Sequence, residues 1–196
     1  MAITPRTLRA AAHVYCCTVL VSISLSACNP VRLGASLRAG YGRPVETTSS
    51  SLTLPSNVSI RIDEAPFDPG SHNIKGCGGG ARSCLIGGRL AFGSADQVPK
   101  TYVSSITVSV SGHEYSLDVS QMYDAWGRRT LESNGMRYFG GSCADALNCT
   151  LRGLFSDAAA TYAAEWQIAG GVPVRTVLTD SGDVVAAFRQ HIDPPK

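Results

Sequence analysis

The clearest pattern in this chain is an alternation of apolar and polar residues on both sides of Ser111-Gly112. Apolar residues occur at every second position from 106 to 110, and again from 115 to 119. Alternation at period two places the apolar side chains of a strand on one face. Two such strands joined by a two-residue turn form a hairpin. The sequence therefore predicts an antiparallel β-hairpin here and a chain built mainly from sheets.

Further segments predict additional strands. Val58–Asp63 alternates in the same way, and other predicted strands cover 85–92, 136–139, 150–155, 161–168 and 174–179. Gly87-Gly88 is interpreted as a bulge within its strand. Gly170-Gly171 joins the last two strands, because glycine tolerates the positive φ that tight hairpin turns need. The alanines at 158–160 leave a helix open as the alternative for 161–168.

The C-terminal segment predicts a helix. Val184, Phe188 and Ile192 fall at i, i+4 and i+8 on one helical face. Asp180 or Ser181 can cap the first turn, and the two prolines at 194 and 195 stop the helix. We expect Phe188 to pack on the sheet.

An apolar run near the N-terminus has the order of a secretory signal. Arg6 and Arg9 precede it, Val14 to Leu25 is largely apolar, and small residues follow. A transmembrane helix needs about 20 apolar residues, and this run is shorter and diluted by serines. We therefore expect residues 1–27 to be cleaved rather than retained as a membrane anchor.

The run ends in Leu25-Ser26-Ala27-Cys28, with Leu three residues before Cys and small residues between them. At this position the pattern resembles the lipobox of bacterial lipoproteins. The resemblance implies that the thiol of Cys28 is diacylated, that cleavage falls just before it, and that the new amino group is acylated. In many such proteins a residue other than Asp after the Cys, here Asn29, implies sorting to the outer membrane, facing the periplasm. The alternative is a plain secreted protein whose Cys28 pairs elsewhere.

The cleavage site and the start of the first predicted strand at Val58 divide the chain into three parts. Residues 28–57 are rich in Ser, Thr, Gly and Arg without periodicity, so we expect a lipidated N-terminus and a flexible tether. Residues 58–196 are predicted to form a single β-rich domain. Loss of Arg6 and Arg9 with the signal leaves 15 basic residues against 15 acidic ones. This balance predicts no basic surface for nucleic acid.

Four cysteines remain after removal of the signal and lipidation of Cys28. Cys77 lies close to Cys84 along the chain, and Cys143 lies close to Cys149. Four cysteines allow three pairings, and proximity favours the two local ones in an oxidising compartment. Zinc knuckles have two to four residues between ligands, whereas these pairs have six and five, so no metal is predicted.

The expected fold is therefore mainly β (α+β). It is an antiparallel sheet or small sandwich, stapled by two disulfides, with a C-terminal helix packed on it.

No segment carries a catalytic or cofactor signature. His72, His113 and His191 lie in predicted turns or at the helix end without a motif around them. The chain has no G-x-S-x-G or H-E-x-x-H motif, and its glycine-rich stretch lacks the Gly-Lys-Ser/Thr of a phosphate-binding loop. We predict no catalytic residue and no cofactor.

Carboxylates are the remaining catalytic candidates. A glycosidase needs two of them in a cleft. Asp118, Asp124 and Glu165 are candidates by chain position alone, and solvated surface carboxylates are the alternative interpretation.

One segment has the composition of a recognition surface. Tyr123, Trp126, Arg128 and Arg129 are of the types enriched at binding hot spots, in a stretch without strand periodicity. The alternative is that Tyr123 and Trp126 cap the core beside solvated arginines. Trp166 alternates within a predicted strand and is expected in the core.

These features favour a lipid-anchored envelope protein that binds another envelope or periplasmic protein without catalysis, as an inhibitor or immunity protein does. An envelope hydrolase with a carboxylate pair and an assembly or scaffold lipoprotein remain the alternatives.

Overall fold

The computed structural model describes residues 46–48, 50–78, 83–126, 139–156 and 158–192, all within one compact unit. The strands are β1 (Glu46–Thr47), β2 (Ser51–Leu54), β3 (Val58–Pro66), β4 (Ile74–Lys75), β5 (Leu85–Ile86), β6 (Arg89–Leu90), β7 (Thr101–Val110), β8 (His113–Ser116), β9 (Phe139–Asp145), β10 (Asn148–Phe155), β11 (Tyr162–Ala169) and β12 (Val172–Thr179). One α-helix, α1 (Gly182–Ile192), follows them.

The first sheet has the strand order β1-β2-β3-β7-β8, with every neighbouring pair antiparallel. Its centre is the pairing of β3 with β7, in which Ile60 lies opposite Val108 and Ile62 opposite Ile106. All four side chains are buried, as the period-two alternation predicts. The β7–β8 hairpin turns at Ser111-Gly112, both with positive φ, which confirms the predicted turn.

The first sheet begins earlier in the chain than the sequence interpretation placed it. The composition predicts a tether through residues 46–54, but β2 pairs with β3 and buries Leu52 and Leu54 in the core. A four-residue strand carries only two apolar residues, too few to distinguish it from a polar linker by periodicity. Pro55–Asn57 forms a short helical turn between β2 and β3. The tether interpretation is thus wrong for the described residues from 46 to 57, and residues 28–45 lie outside the described residues.

The second sheet has the antiparallel order β12-β11-β10-β9. The hairpin between β11 and β12 turns at Gly170-Gly171, with φ of 59° and 82°, as predicted. The segment 161–168 is a strand and not the alternative helix. Other parts of the fold cover both faces of this strand, because Ala163 and Ala164 are fully buried on opposite faces. This packing on both faces explains why the segment is a strand.

The two sheets pack face to face, and residues from both form a single hydrophobic cluster. Trp166 is fully buried in it, as predicted, and Phe155 contacts its ring edge-on. Helix α1 covers the outer face of the second sheet, where Phe188 packs against Leu154 and Ala163. The described chain is therefore a small sandwich with one helix on its outside, which confirms the expected fold class.

A third, small sheet (β4-β5-β6) lies within the 74–90 region. The single strand predicted for 85–92 is wrong. Gly87 and Gly88 both have positive φ and form a turn between two-residue strands instead of a bulge. Cys77 pairs with Cys84 at the base of this sheet, and this disulfide matches the predicted pairing.

The second predicted disulfide, Cys143–Cys149, also forms, and it joins β9 to β10. The strand predicted at 136–139 starts at Phe139 and continues to Asp145, while 136–138 lie outside the described residues. Gly141 lies inside this strand and not after it. A Cβ there would approach the Leu151 side chain to 2.6 Å, so close packing requires glycine. Within the described ranges, no helix is both long and apolar enough to cross a membrane.

Candidate functional site

An open groove of about 780 Å³ lies beside the first sheet. Four parts of the chain line it: the end of β3 with its following turn, the β5–β6 hairpin, the start of β7, and residues 117–123. This volume falls in the range of about 300–1,000 Å³ that is usual for ligand sites.

The groove exists because the chain after β8 leaves β7 and then returns to it. The Leu117 N–H still bonds the Ile106 carbonyl at 2.9 Å, and the chain rejoins where the Val103 N–H bonds the Met122 carbonyl at 3.0 Å. Gln121, with φ of 68°, turns the segment back. Opposite this gap, the pairing of β3 with β7 contains a bulge, a feature that is frequent beside binding sites.

Aromatic side chains form one wall of the groove. The His72 ring stacks on Phe67 with centroids 4.8 Å apart, and Tyr123 meets Phe67 edge-on at 5.5 Å. Tyr102 stands beside Tyr123 through an isolated β-bridge and is 38% exposed. Such rings supply large contact areas and prefer offset or edge-on partners.

Charged groups occupy another part of the groove. Arg175 of β12 reaches across to residues 118–120, where it pairs with the Asp118 carboxylate at 3.0 Å and donates to the Ser120 carbonyl at 2.6 Å. Partial burial disfavours the Asp118 carboxylate, but hydrogen bonds from Ser120 and the charges of Arg175 and Arg89 outweigh it and lower the pKa of Asp118. Burial lowers the pKa of Arg175, and Asp118 offsets part of this effect. The ion pair thus holds one edge of the groove in place.

A half-buried carboxylate that the sequence interpretation missed anchors the segment behind the groove. Glu64 Oε1 accepts hydrogen bonds from the Thr101 hydroxyl at 3.0 Å and the Ala125 N–H at 2.8 Å. Asp124 Oδ1 accepts from the Thr101 N–H at 2.9 Å. Burial, with a smaller contribution from the charge of Asp124, raises the pKa of Glu64 despite these hydrogen bonds. Glu64 carries no local motif, so only its tertiary contacts identify it.

Tyr162 adds a buried hydroxyl to this region. Burial, together with the charges of Glu64 and Asp124, raises the pKa of Tyr162 well above its ordinary value. Among the described residues, its hydroxyl has no hydrogen-bond partner. Neither Glu64, Asp124 nor Tyr162 lines the groove.

The predicted recognition segment is divided by the fold. Tyr123 lines the groove, whereas Trp126 packs against the core, with its ring 5.8 Å from that of Phe155. Arg128 and Arg129 lie outside the described residues, as does Cys28. Trp126 therefore fits the alternative interpretation as a cap on the core.

The three candidate carboxylates are not brought together. Asp118 lies in the groove with Arg175, and Asp124 accepts the backbone N–H groups of Lys100 and Thr101. Glu165 pairs with Arg152, whose guanidinium lies over Phe188 of helix α1. Each of the three carboxylates has its own partner, and Asp118 lines the groove without Asp124 or Glu165, so the groove does not hold the pair that glycoside hydrolysis needs.

The histidines are equally separate. His72 belongs to the groove, His113 stacks on Tyr115 at the β7–β8 hairpin, and the side chain of His191 is not described. Across the described ranges, no group of three or more His, Cys, Asp or Glu side chains is arranged to hold a metal ion.

Phe67, Arg89 and Tyr102 are the groove residues that sequence reasoning missed. Phe67 lies in the turn after β3, Arg89 in the β5–β6 hairpin and Tyr102 near the start of β7. The three residues are far apart along the chain. Their residue types carry a signal only when the fold brings them to one surface. Comparison of the chain with protein-family models, curated proteins and solved structures gives no match.

Proposed function

We propose that this chain is a lipid-anchored protein of the bacterial cell envelope, attached through Cys28, that binds another protein without catalysing a reaction. The observation that carries the binding role is the open, aromatic-walled groove with Arg89 at its rim. Tyr and Arg are the residue types enriched at binding hot spots. The separation of Asp118, Asp124 and Glu165 supports binding over the hydrolase alternative.

The anchoring part of the proposal rests on Leu25-Ser26-Ala27-Cys28 and its position after an apolar run. Asn29 supports the outer membrane, facing the periplasm. Inhibitors of wall-degrading enzymes and immunity proteins against envelope-directed toxins share this plan of a tethered, disulfide-stapled module. The parallel is one of size and compartment and not of a shared motif.

Capture from envelope extracts with variants inside and outside the groove tests the binding role. The full chain with a C-terminal tag is the bait, and Tyr102→Ala and Arg89→Ala are the groove variants. His113→Ala is the matched control, because it is exposed at a hairpin tip and does not line the groove. We expect both groove variants to lose a partner that the control retains, with unchanged melting temperatures.

Equal capture by all variants would remove the groove from the binding surface. Turnover of a wall glycan, peptide or lipid by the purified chain, abolished by Asp118→Asn or Glu165→Gln, would replace the binding role with an enzymatic one. The double variant Arg128→Ala/Arg129→Ala tests separately whether these two arginines also contact the partner, as their composition predicts.

A further inference from the structure

This inference rests on the proposed binding function and concerns what occupies the groove. We propose that the groove holds an extended peptide segment of the partner protein in which an acidic side chain lies next to an aromatic one. The acidic group would meet Arg89, and the ring would lie against Tyr102 and Tyr123.

The charges at one end of the groove favour an acidic group. Asp118 already pairs with Arg175, and the positive charge of Arg89 also acts on both of these side chains. The Asp118 carboxylate thus already has a guanidinium partner in Arg175. Among the described residues, the exposed Arg89 side chain makes no salt bridge or hydrogen bond of its own. A carboxylate from a ligand supplies the missing partner, and arginine binds carboxylates through two parallel hydrogen bonds.

Asp68 is the second carboxylate of the lining, and within the described part of the chain it forms no salt bridge with Arg89. Asp68 belongs to the turn that carries Phe67 and His72, and its Oδ1 accepts the Gly70 N–H at 3.0 Å. This hydrogen bond fixes the Asp68 carboxylate at its own turn. Arg89 and Tyr123 line the same groove, and the charge of Arg89 also acts on Tyr123, so the cation and the aromatic wall are neighbours. An acidic and an aromatic side chain close together in a ligand match this arrangement.

The open rim favours a segment of a protein over an enclosed small molecule. Sites for small molecules commonly enclose 70–90% of the ligand surface. Here Arg89, Tyr102, Ser104 and Asp118 are all exposed along the rim. A peptide segment still attached to its protein can lie in such an open groove while the rest of the partner covers the rim.

Site-specific photo-crosslinking in cells tests the occupant. In the full chain, Tyr102 and, in a separate variant, Ser104 are each replaced by the photoreactive amino acid p-benzoylphenylalanine. His113 is replaced in the same way as the control. We expect one protein adduct from both groove positions and none from the control. Mass spectrometry of the crosslinked peptide should place Asp or Glu within two residues of Phe, Tyr or Trp.

A synthetic peptide that copies the crosslinked segment then tests the role of Arg89. We expect Arg89→Gln to raise the Kd about 10-fold, and replacement of the acidic residue of the peptide by its amide to do the same. The two changes together should cost no more than either alone, because they remove the same interaction. Arg61→Gln is the matched control, since Arg61 is an exposed arginine of the first sheet that pairs with Asp63 outside the groove.

The outcomes separate this inference from the function on which it rests. A protein adduct through a segment without an acidic residue, or additive effects in the double change, overturns the ligand class and leaves the binding function standing. An adduct with a glycan or lipid would show that the occupant of the groove is not a peptide segment. If the groove positions give no adduct but tagged capture still finds a partner, the partner binds elsewhere on the chain. That result overturns the inference about the groove and leaves the binding function standing. If tagged capture also finds no partner, the proposed function fails with it.

Discussion

Phe188 shows how one residue joins helix α1 to the second sheet. It is 6% exposed, packs against Leu154 and Ala163, and its ring lies 4.6 Å from the guanidinium carbon of Arg152. That guanidinium pairs with the buried Glu165 carboxylate. The Phe188 ring therefore packs on apolar side chains and also shields the buried Arg152–Glu165 ion pair from water.

We predict that Phe188→Ala lowers the free energy of unfolding by about 3–5 kcal/mol, because it leaves a cavity under the helix. Urea unfolding followed by circular dichroism measures this change. Gln190→Ala is the control on the exposed side of the same helix and should stay within about 0.5 kcal/mol of the wild type. A loss below about 1 kcal/mol for Phe188→Ala would show that the helix does not depend on this contact.

Glu64 makes stability depend on pH. Its pKa in the folded chain is raised above the ordinary value of 4.5, mainly by burial. Between pH 4.5 and the folded pKa, the folded state therefore holds a proton that the unfolded state has released. The stabilising contribution of this group is complete below pH 4.5 and is lost as the pH rises through the folded pKa. Asp63 and Asp118 have lowered pKa values and act in the opposite direction, losing their contribution as the pH falls.

We predict that Glu64→Gln reduces the loss of stability as the pH rises from 4.5 to 7. The amide carbonyl can still accept from Thr101 and Ala125 but carries no charge to bury. The measurement is the unfolding free energy of the wild type minus that of the variant at several pH values, since this difference cancels the contributions of Asp63 and Asp118. The difference should fall as the pH rises. A constant or rising difference would contradict the raised pKa of Glu64.

At the scale of elements, β2 extends the folded body to residues that look like a linker. Its partner β3 aligns Leu52 with Ile60 and Leu54 with Val58, so both leucines enter the inner face of the first sheet. Beyond β2, the two-residue strand β1 is the last strand on this side of the sheet among the described residues. A fragment that begins at Val58 therefore lacks part of the core.

We predict that Leu54→Ala lowers the free energy of unfolding by about 2–5 kcal/mol, because Leu54 is 1% exposed within the sandwich. Val174→Ala is the control within a strand, since Val174 is 51% exposed on β12, and its effect should stay within about 0.5 kcal/mol. Thermal or urea unfolding of the full chain measures both. Equal effects of the two substitutions would mean that β2 does not contribute to the core.

The segment between β8 and Tyr123 is the element that makes the groove. The alternation predicts a return strand as far as Val119, but β8 ends at Ser116, so that prediction is wrong for 117–119. From Ser120 onward the absence of a strand agrees with the absence of periodicity, and the whole segment is held at several points by other elements. The Trp166 indole N–H donates to the Asp118 carbonyl at 2.8 Å, and Arg175 donates to the Ser120 carbonyl. Both donors come from the second sheet, so the two sheets together define the groove.

At the scale of the whole molecule, the proposal combines a lipid anchor with a folded binding module. We predict that Cys28→Ala removes lipidation and releases the chain from the membrane fraction, because acyl chains supply the anchor once the signal is cleaved. Metabolic labelling with a radioactive fatty acid and membrane fractionation measure the two effects. The control is Cys17→Ala, in the segment expected to be cleaved, which should leave both unchanged. Wild-type recovery of Cys28→Ala in membranes would refute the lipobox interpretation.

Features that depend on residues close together along the chain could be predicted from the amino-acid pattern. The hairpins at Ser111-Gly112 and Gly170-Gly171 follow from alternation and from glycine at turn positions, and the face of helix α1 follows from the spacing of Val184 and Phe188. Local loop closure likewise favoured the observed Cys77–Cys84 and Cys143–Cys149 pairs.

Contacts between residues that are distant along the chain follow from the fold and not from any local pattern. Leu54 belongs to the core because β3 offers it a partner, Glu64 is half-buried because residues 123–126 fold over it, and Arg175 crosses from the second sheet to Asp118. The groove joins Phe67, Arg89, Tyr102 and Tyr123 in the same way. Burial, charge pairing and raised or lowered pKa values arise from contacts between separate strands, and a local pattern contains no information on those contacts.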